Sequence, residues 1–332
     1  MNLNRRTILL GSLGIAAATK INTAFAASLP STPLGDDPAA PQWPTEERFT
    51  LWPQDPPGKP TTTPTLSQTM NGPRGDRQLQ LRGIITPEIS VYRTAKPNGS
   101  AILVCPGGGY SFLSVQNEGI DVARRFTPFG ITVFVLTYRL PNEGWEKQTR
   151  VPLQDAQRAM RLVKFNAAKY HVNPDQIGVM GFSAGGHLAS DLATAFNESC
   201  YSTVDKADKL SARPQFAALI YPVASLQVNV GHTGTRKNLL GENPSAELLT
   251  KHSPADQVTA TTPPCFVMHA MDDKTVPVEA SLAMIAGCRK AQVQVEAHLF
   301  ERGGHGFGFR APAELPVAQW PLLFERWMQT HI

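Results

Sequence analysis

The segment with the clearest chemical potential is G-F-S-A-G-G-H at residues 181–187. It follows a short apolar run at residues 177–180 and leads into a helical pattern, so Ser183 stands at a strand-to-helix turn with glycine two residues away on each side. A serine in a strained backbone conformation needs such glycines, because side chains there would collide with the neighbouring strand and helix. The pattern predicts Ser183 as a nucleophile. The alternative is a glycine-rich turn with a capping serine.

A serine nucleophile needs a base, and the base needs a carboxylate to orient it. In a mainly parallel sheet with helices between its strands, these three residues are expected to follow one another along the chain in the order serine, acid, histidine. Asp272 and Asp273 follow the apolar run at residues 265–269, and the spacing H-x-x-x-D-x-x-V-P favours Asp273 over Asp272. The predicted base is His305, in G-G-H-G-F-G at residues 303–308. The alternatives are a helix cap or surface turn for the aspartates and a structural histidine.

When a serine attacks a carbonyl carbon, an anionic tetrahedral intermediate forms, and backbone N–H groups must stabilise it. One of these N–H groups belongs to the residue after the nucleophile, here Ala184. The loop C-P-G-G-G-Y at residues 105–110 follows an earlier apolar run and can point successive amides at a ligand. Gly108 and Gly109 are the predicted oxyanion-hole donors, with Gly107 as a further possibility.

Several other residues near these motifs invite interpretation. Tyr110 and Phe112 follow the glycine loop and are predicted to line the substrate pocket. A phosphate-binding loop is disfavoured, because no Walker lysine follows and Phe112 interrupts the pattern G-x-G-x-x-G. His187 and His269 are predicted to be structural.

The elements that must position these residues alternate along the chain. β-branched and apolar runs predict strands, and longer amphipathic patterns between them predict helices. Continuous apolar runs are typical of strands buried on both faces, so the sequence predicts one α/β domain with a mainly parallel sheet and helices on both sides. Ligands bind such sheets at the carboxyl ends of the strands. The predicted strands are residues 89–93, 101–105, 131–136, 177–180, 216–221, 265–269 and 293–300, and the clearest helices are residues 153–170, 184–195, 278–291 and 317–329.

The first 26 residues have the features of an export signal. They contain Arg5, Arg6 and Lys20 but no acidic residue, then a soft apolar run, and they end in A-F-A at residues 24–26, a pattern that leader peptidases accept. The string N-R-R-T-I-L-L resembles a twin-arginine signal, and an ordinary secretory signal is the alternative. Either predicts an exported protein, with the twin-arginine-like signal favouring the periplasm.

Without that signal the chain has 28 basic and 27 acidic residues, so its net charge falls from +4 to +1. The basic surplus therefore gives no support to a nucleic-acid partner. No apolar run reaches the ~18 residues of a membrane span, and no membrane anchor is expected. The four cysteines have no metal-ligand or short-range pairing pattern, so mostly free, buried thiols and no metal or cofactor are predicted.

A chain of 332 residues that is 42% hydrophobic and 17% charged can build one large core. Ten of its 28 prolines fall between positions 30 and 64, which predicts an N-terminal arm or linker over residues 27–74 before a catalytic domain at residues 75–332. The arm is expected to form neither helices nor inner strands. It is either a spacer or a strap over the body, with Trp43 and Trp52 as possible anchors.

Six sequence blocks carry a resemblance to a known family. Residues 79–332 resemble the α/β-hydrolase superfamily, and within it the bacterial acetylxylan-esterase-like group often found with hemicellulose-degrading enzymes. The blocks are P-G-G-G-Y with Glu118-Gly119, T-Y-R-L-P at 137–141, I-G-V-M-G-F-S-A-G-G-H-L-A at 177–189, R-K-N-L-L-G at 236–241, P-P-C-F-V-M-H-A at 263–270, and G-G-H-G-F-G.

The resemblance implies Ser183, Asp273 and His305 as a catalytic triad that removes O-acetyl groups from a plant polysaccharide or its oligomers through an acyl-enzyme. Two positions depart from the common esterase pattern: Pro106 stands where many have the histidine of H-G-G-G, and Ala270 replaces a glycine. The sequence leaves open a general short-chain carboxylesterase or a peptidase of the same fold, and a non-catalytic binding protein. It does not decide the sugar or the oligomeric state.

Overall fold

A computed structural model describes residues 31–33, 35, 37–73 and 76–332. The predicted export signal at residues 1–26 lies outside this range. None of the helices in the described ranges is long and apolar enough to cross a membrane. The strands are β1 (Ser31–Pro33), β2 (Arg48–Thr50), β3 (Ser67–Asn71), β4 (Gln78–Arg82), β5 (Glu88–Tyr92), β6 (Ala101–Cys105), β7 (Thr132–Thr137), β8 (Ile177–Phe182), β9 (Ala217–Ile220), β10 (Cys265–Ala270) and β11 (Val295–Phe300), and the helices are α1 (Asp121–Phe126), α2 (Val151–Phe165), α3 (Ser183–Ala195), α4 (Thr233–Leu240), α5 (Ala246–Lys251), α6 (Glu279–Lys290) and α7 (Trp320–Gln329).

An eight-stranded sheet in the order β11-β10-β9-β8-β6-β7-β5-β2 forms the centre of the protein. Strands β6 to β11 pair in parallel, whereas β5 and β2 join antiparallel at one edge. Every residue of β6 to β10 is buried, so both faces of the sheet are covered. The predicted α/β fold with a mainly parallel sheet is confirmed, and its seven predicted strands correspond to β5 to β11.

The proline-rich stretch lies against the body as a strap. Trp43 and Trp52 are buried, and the indole N–H of Trp52 donates to Asp155 Oδ1 at 2.9 Å. Strand β2 adds to the edge of the main sheet, while β3 is the central strand of a small sheet in the order β1-β3-β4. The prediction that this stretch forms no inner strand is wrong for β3, because residues 67–71 contain no proline and Met70 can be fully buried.

Buried ion pairs hold the strap to α2. Arg139 and Asp155 have fully buried side chains and form an ion pair at 2.8 Å, and Arg139 Nη1 also donates to the carbonyl of Pro57. Arg158 pairs with Asp205 and Asp208 and donates from Nε to the carbonyl of Leu51. Breaking such a buried pair typically costs about 3–5 kcal/mol, because one charge is left uncompensated.

The cysteines are all free thiols, as the sequence predicts for most of them. Cys105, Cys265 and Cys288 are buried and Cys200 is half-buried. Burial raises the pKa of the Cys200 thiol to about 12, so this thiol stays protonated near neutral pH.

Asp191 in α3 is an acidic side chain inside the core. Burial raises the pKa of its carboxyl to about 7, an effect that Arg150 opposes and Glu198 reinforces. Between its ordinary pKa of 3.8 and this value the folded protein binds a proton here that the unfolded chain does not. This group therefore makes the folded state less stable as the pH rises through that window.

Replacing Asp191 with asparagine should remove this pH dependence. We compare the difference in free energy of unfolding between Asp191→Asn and wild type at two pH values. This difference, variant minus wild type, should be about 3 kcal/mol larger at pH 8 than at pH 4. Urea unfolding at the two pH values measures this difference. The exposed residue Asp55 supplies the matched control, because Asp55→Asn makes the same chemical change outside the core. A constant difference for Asp191→Asn would show that Asp191 titrates normally.

Candidate active site

Ser183 lies at the turn between the central strand β8 and helix α3, and 6% of its surface is exposed. Its backbone φ is 52°, in the left-handed region that residues other than glycine rarely adopt. The turn packs tightly against the glycine loop: a Cβ added to Gly185 would lie 2.0 Å from the carbonyl oxygen of Cys105. The glycine at this position is therefore a steric requirement of the turn, as the motif predicts.

His305 lies beside Ser183, on the loop after β11. Its Nε2 is 2.9 Å from Ser183 Oγ, and its Nδ1 is 2.6 Å from Asp273 Oδ2. The carboxylate can only accept a hydrogen bond, so Nδ1 carries the proton and Nε2 faces the serine hydroxyl as an acceptor. The structure thus brings the three side chains into a continuous hydrogen-bonded chain.

Asp273, on the loop after β10, is held by four donors. Its Oδ1 accepts the amides of Thr275 and Val276 at 2.8 and 2.9 Å, and its Oδ2 accepts from His305 and His269. Burial alone would raise the pKa of this carboxyl, but the hydrogen bonds from the two histidines and the charge of His305 hold it well below its usual range. Asp273 therefore remains an anion beside His305.

Asp272, the alternative acid, does not touch His305. Its Oδ1 accepts the amides of Gly303 and Gly304 at 2.9 and 2.8 Å, so it holds the loop that carries the histidine. The two aspartates are adjacent in the chain, but Asp273 contacts the ring of His305 and Asp272 contacts the backbone of the loop that carries it.

His269 contacts the acid, a role that the sequence did not predict beyond a structural one. Its Nε2 lies 3.1 Å from both Asp273 Oδ2 and the carbonyl of Val276, so this nitrogen carries the ring proton. Its Nδ1 lies 2.8 Å from Ser281 Oγ, which donates to it. The signal was present in the sequence as the spacing H-x-x-x-D, which places both residues at the end of β10.

The glycine loop after β6 reaches the same place. Gly108 and Gly109 line the cavity that contains Ser183, and Ala184 lies in the first turn of α3, where backbone amides have no partner within the helix. The amide of Gly107 is not available as an oxyanion-hole donor, because it already donates to Glu118 Oε2 at 2.7 Å. Gly108 has φ 125°, and a Cβ there would lie 2.1 Å from the carbonyl oxygen of Phe112.

A tyrosine supports the loop at the position where the sequence departs from H-G-G-G. The hydroxyl of Tyr138, after β7, donates to the carbonyl of Pro106 at 2.7 Å. Tyr138 is fully buried, so this hydrogen bond is shielded from water. Pro106 thus keeps a polar partner at this position.

Glu118 connects the glycine loop with the histidine loop. Its Oε2 accepts the Gly107 amide, its Oε1 accepts the hydroxyl of Tyr221 at 2.9 Å, and that hydroxyl in turn accepts the Gly308 amide at 3.0 Å. The ring of Tyr221 also packs on His305, with centroids 5.0 Å apart. Burial raises the pKa of the Glu118 carboxyl although the bonds from Gly107 and Tyr221 oppose this.

Loss of one acceptor oxygen at Glu118 should slow the reaction. A glutamine has a single carbonyl oxygen and cannot accept from both Gly107 and Tyr221, so one loop loses its support. We expect Glu118→Gln to lower kcat about tenfold with little change in KM, since one buried hydrogen bond is worth about 1 kcal/mol or more. Steady-state kinetics with p-nitrophenyl acetate measures both constants.

A matched control exists elsewhere in the chain. Glu143 Oε1 accepts the amide of Gly83 at 2.7 Å in the same way, but neither residue lines the Ser183 cavity. Glu143→Gln should leave kcat within twofold of wild type. Equal losses of kcat in the two variants would assign the effect to general loss of stability.

The cavity in front of Ser183 and His305 has a volume of about 340 Å³. Apart from glycines and one aromatic ring, its lining is polar. The lining residues are Gln78, Gln80, Gly108, Gly109, Ser111, Phe112, Ser114, Asn117, Glu118, Ser183, His232, Gly234, Asn238, Thr275, His305 and Gly306.

Phe112 lies in this lining, but the prediction that Tyr110 lines the pocket is wrong. Tyr110 is 1% exposed, and its hydroxyl lies 2.9 Å from Nδ1 of His187 in the core. Tyr110 has a positive φ of 59°, and its ring packs edge-on against Tyr138 and His187. His187 also contacts the carbonyl of His252, and burial lowers its pKa to about 4, as suits a structural, neutral histidine.

The order in which the chain supplies these groups, serine after β8, acid after β10 and histidine after β11, defines the class of α/β hydrolases. The sequence model of the BD-FAE family matches residues 89–286. The chain therefore belongs to the BD-FAE family. The predicted resemblance to α/β hydrolases of the acetylxylan-esterase-like group is confirmed by the relatives that follow.

Two curated proteins show this similarity. The acetylxylan esterase of Xylanibacter ruminicola is 34% identical over 217 residues, which are 64% of this chain and 42% of that protein. The endo-1,4-beta-xylanase B of Butyrivibrio fibrisolvens is 36% identical over 205 residues, which are 62% of this chain and 32% of that protein. The chain thus spans less than half the length of either relative.

Among solved structures, the acetyl ester-xyloside bifunctional hydrolase of Caldicellulosiruptor lactoaceticus is similar over most of its length. The two chains share 34% identity and superpose with a TM-score of 0.70, covering 86% of this chain and 97% of the other. A sugar hydrolase of Lactococcus lactis is 30% identical with a TM-score of 0.60.

Proposed function

We propose that the protein is a serine hydrolase of carboxylic esters with Ser183, His305 and Asp273 as its catalytic triad. His305 Nε2 takes the proton of Ser183 Oγ as this oxygen attacks the ester carbonyl, and Asp273 stabilises the imidazolium that forms. The protonated His305 then gives its proton to the departing alcohol, leaving an acyl-enzyme. A water molecule, deprotonated by His305, releases the carboxylic acid and restores the serine. The hydrogen-bonded chain from Ser183 to Asp273 is the observation that carries this proposal.

The oxyanion that forms at each attack is proposed to lie against the amides of Gly108, Gly109 and Ala184. Gly108 and Gly109 line the cavity beside Ser183, and Ala184 is the second residue of α3, whose N-terminal end favours negative charge. Gly107 stabilises the glycine loop through the hydrogen bond from its amide to Glu118 Oε2.

The proposed substrate is an O-acetyl ester on a xylan-type polysaccharide or its oligosaccharides. The cavity is larger than an acetyl group requires, so part of it must receive the alcohol. The polar side chains among its lining residues, together with the ring of Phe112, suit a hydroxyl-bearing sugar. The names of the acetylxylan esterase and the acetyl ester-xyloside hydrolase point to the same chemistry.

The proposed organisation is an export signal at residues 1–26, an arm at residues 27–74 and a catalytic domain at residues 75–332. The basic, acid-free start and the A-F-A sequence support export, which would deliver the enzyme to the periplasm. The arm is bound to the domain through Trp52 and the buried ion pairs of α2.

Acetate release tests the substrate proposal. Purified protein is given acetylated xylan, mannan and pectin, acetylated xylo-oligosaccharides, and p-nitrophenyl esters of two to eight carbons. We expect the highest kcat/KM on acetylated xylo-oligosaccharides and a steep decline with acyl length. A preference for simple esters over every carbohydrate would instead identify a general short-chain carboxylesterase, and cleavage of peptides would identify a peptidase.

A further inference from the structure

The lining of the cavity contains two side chains, His232 and Gln80, whose acceptor atoms are already occupied by protein donors. His232 precedes α4, and its Nδ1 accepts the Thr235 amide at 3.2 Å and the Thr235 hydroxyl, whose Oγ1 lies 2.9 Å away. A backbone N–H can only donate, so Nδ1 is unprotonated and the neutral ring carries its proton on Nε2. No partner for Nε2 occurs among the described residues.

The position of His232 fixes where this N–H can act. The ring lies over the glycine loop, with Cε1 3.8 Å from the Cβ position of Gly109. Helix α4 is itself bound to that loop, because Asn238 Nδ2 donates to the carbonyl of Gly109 at 2.8 Å and to Ser111 Oγ at 2.7 Å. Burial, with the nearby charge of His305, lowers the pKa of His232, which favours the neutral ring.

Gln80 has the same arrangement on another element. It lies on β4, and its Oε1 accepts a hydrogen bond from Asn71 Nδ2 on the paired strand β3 at 2.9 Å. That bond assigns the oxygen to Asn71 and leaves the two N–H donors of Nε2 without a partner in the described part of the chain. Asn71 belongs to the strap, so the proline-rich segment orients a side chain of the cavity.

We propose that His232 Nε2 and Gln80 Nε2 are a donor pair that binds hydroxyl and ring oxygens of the alcohol half of the ester, and that this pair sets the preference for sugar esters. The inference rests on the proposed function and deepens it. Sugar oxygens accept hydrogen bonds from such N–H groups, whereas a hydrocarbon alcohol would leave both donors unpaired. The strap thereby contributes to specificity through Asn71.

The test compares two acetates of six-membered rings. One is a methyl xylopyranoside with a single O-acetyl group, and the other is cyclohexyl acetate, which has no free hydroxyl. His232→Asn keeps a side chain that can cap α4 and removes the ring N–H. Gln80→Glu keeps the acceptor for Asn71 and removes the amide donors, and Gln80→Met removes them without adding a charge.

Each of these variants should lower the ratio of kcat/KM for the sugar acetate to kcat/KM for cyclohexyl acetate about tenfold, the loss of about one hydrogen bond. Asn71→Ala should lower the ratio in the wild type but have no further effect in Gln80→Met. Gln68→Glu, on β3 but outside the cavity lining, and Thr233→Ala, on the exposed start of α4, should keep the ratio within twofold. An unchanged ratio in His232→Asn and both Gln80 variants overturns the donor pair.

A binding measurement separates this inference from the proposed function. Calorimetric titration of xylotriose into Ser183→Ala should give a dissociation constant about tenfold lower than titration into Ser183→Ala/His232→Asn. If wild type hydrolyses neither acetate, the proposed function fails, and this difference in binding still supports the donor pair. Equal binding, or no binding to either protein at millimolar xylotriose, overturns it.

Discussion

Ser183→Ala should lose about 10⁶-fold in kcat for ester hydrolysis while remaining folded, as expected when the only nucleophile of a serine hydrolase is removed. In the proposed mechanism the Ser183 hydroxyl oxygen attacks the ester, and among the described residues no other oxygen lies at hydrogen-bond distance from His305 Nε2. Activity on acetylated xylo-oligosaccharides and labelling by a fluorophosphonate probe measure the loss. The same protein should show a thermal transition like that of wild type, because alanine keeps the backbone of the turn.

The control for this variant lies seven residues further along the same helix. Ser190 is buried, and its Oγ donates to the carbonyl of Gly186 within α3. Ser190→Ala makes the same chemical change without touching the cavity, and it should keep kcat within about threefold of wild type and react with the probe. Retained turnover in Ser183→Ala would end the proposed mechanism, and a wild-type protein that the probe does not label would support a non-catalytic binding protein.

Asp273→Asn should lower kcat/KM by about 10⁴-fold. An asparagine can direct its NH₂ group at His305, and the ring would then have to place its proton on Nε2, where it can no longer accept the proton of Ser183. The negative charge that stabilises the imidazolium also disappears. The effect should fall mainly on kcat, and hydrolysis of p-nitrophenyl acetate at pH 8 is sufficient to measure it.

The neighbouring aspartate supplies the matched substitution. Asp272 accepts two glycine amides through Oδ1, and an asparagine at that position keeps an oxygen for them. Asp272→Asn should therefore lose less than tenfold in kcat/KM. A larger loss at residue 272 than at residue 273 would reverse the assignment of the acid.

Much of the fold followed from periodic patterns that are local in the chain. The buried strands β6 to β10 are continuous apolar runs and were predicted within one or two residues, because a strand covered on both faces has no polar positions to obscure it. Strands β1, β2, β3 and β4 were not predicted. They lie at edges or in the small sheet, where half-buried polar residues produce no clear pattern.

Local sterics and chain order are enough to locate the three residues of the proposed triad. Ser183 needs its flanking glycines within a single turn, and the acid and histidine must follow strands that end at the same edge of the sheet. These constraints can be read from a few neighbouring residues, so they led directly to the three side chains that the structure brings together.

The groups that surround those three side chains depend on packing between segments that are distant in the chain. Glu118 and Tyr221 are 103 residues apart in the chain, and the hydrogen bond between them depends on how two loops meet. The same is true of the burial of Tyr110, the bond from Asn71 to Gln80, and the position of His232 over the glycine loop. Contacts of this kind arise from packing between distant segments, which leaves no pattern within any single segment. The sequence therefore located the three proposed catalytic side chains, whereas the fold alone brought together the groups that support them and the residues that line the cavity.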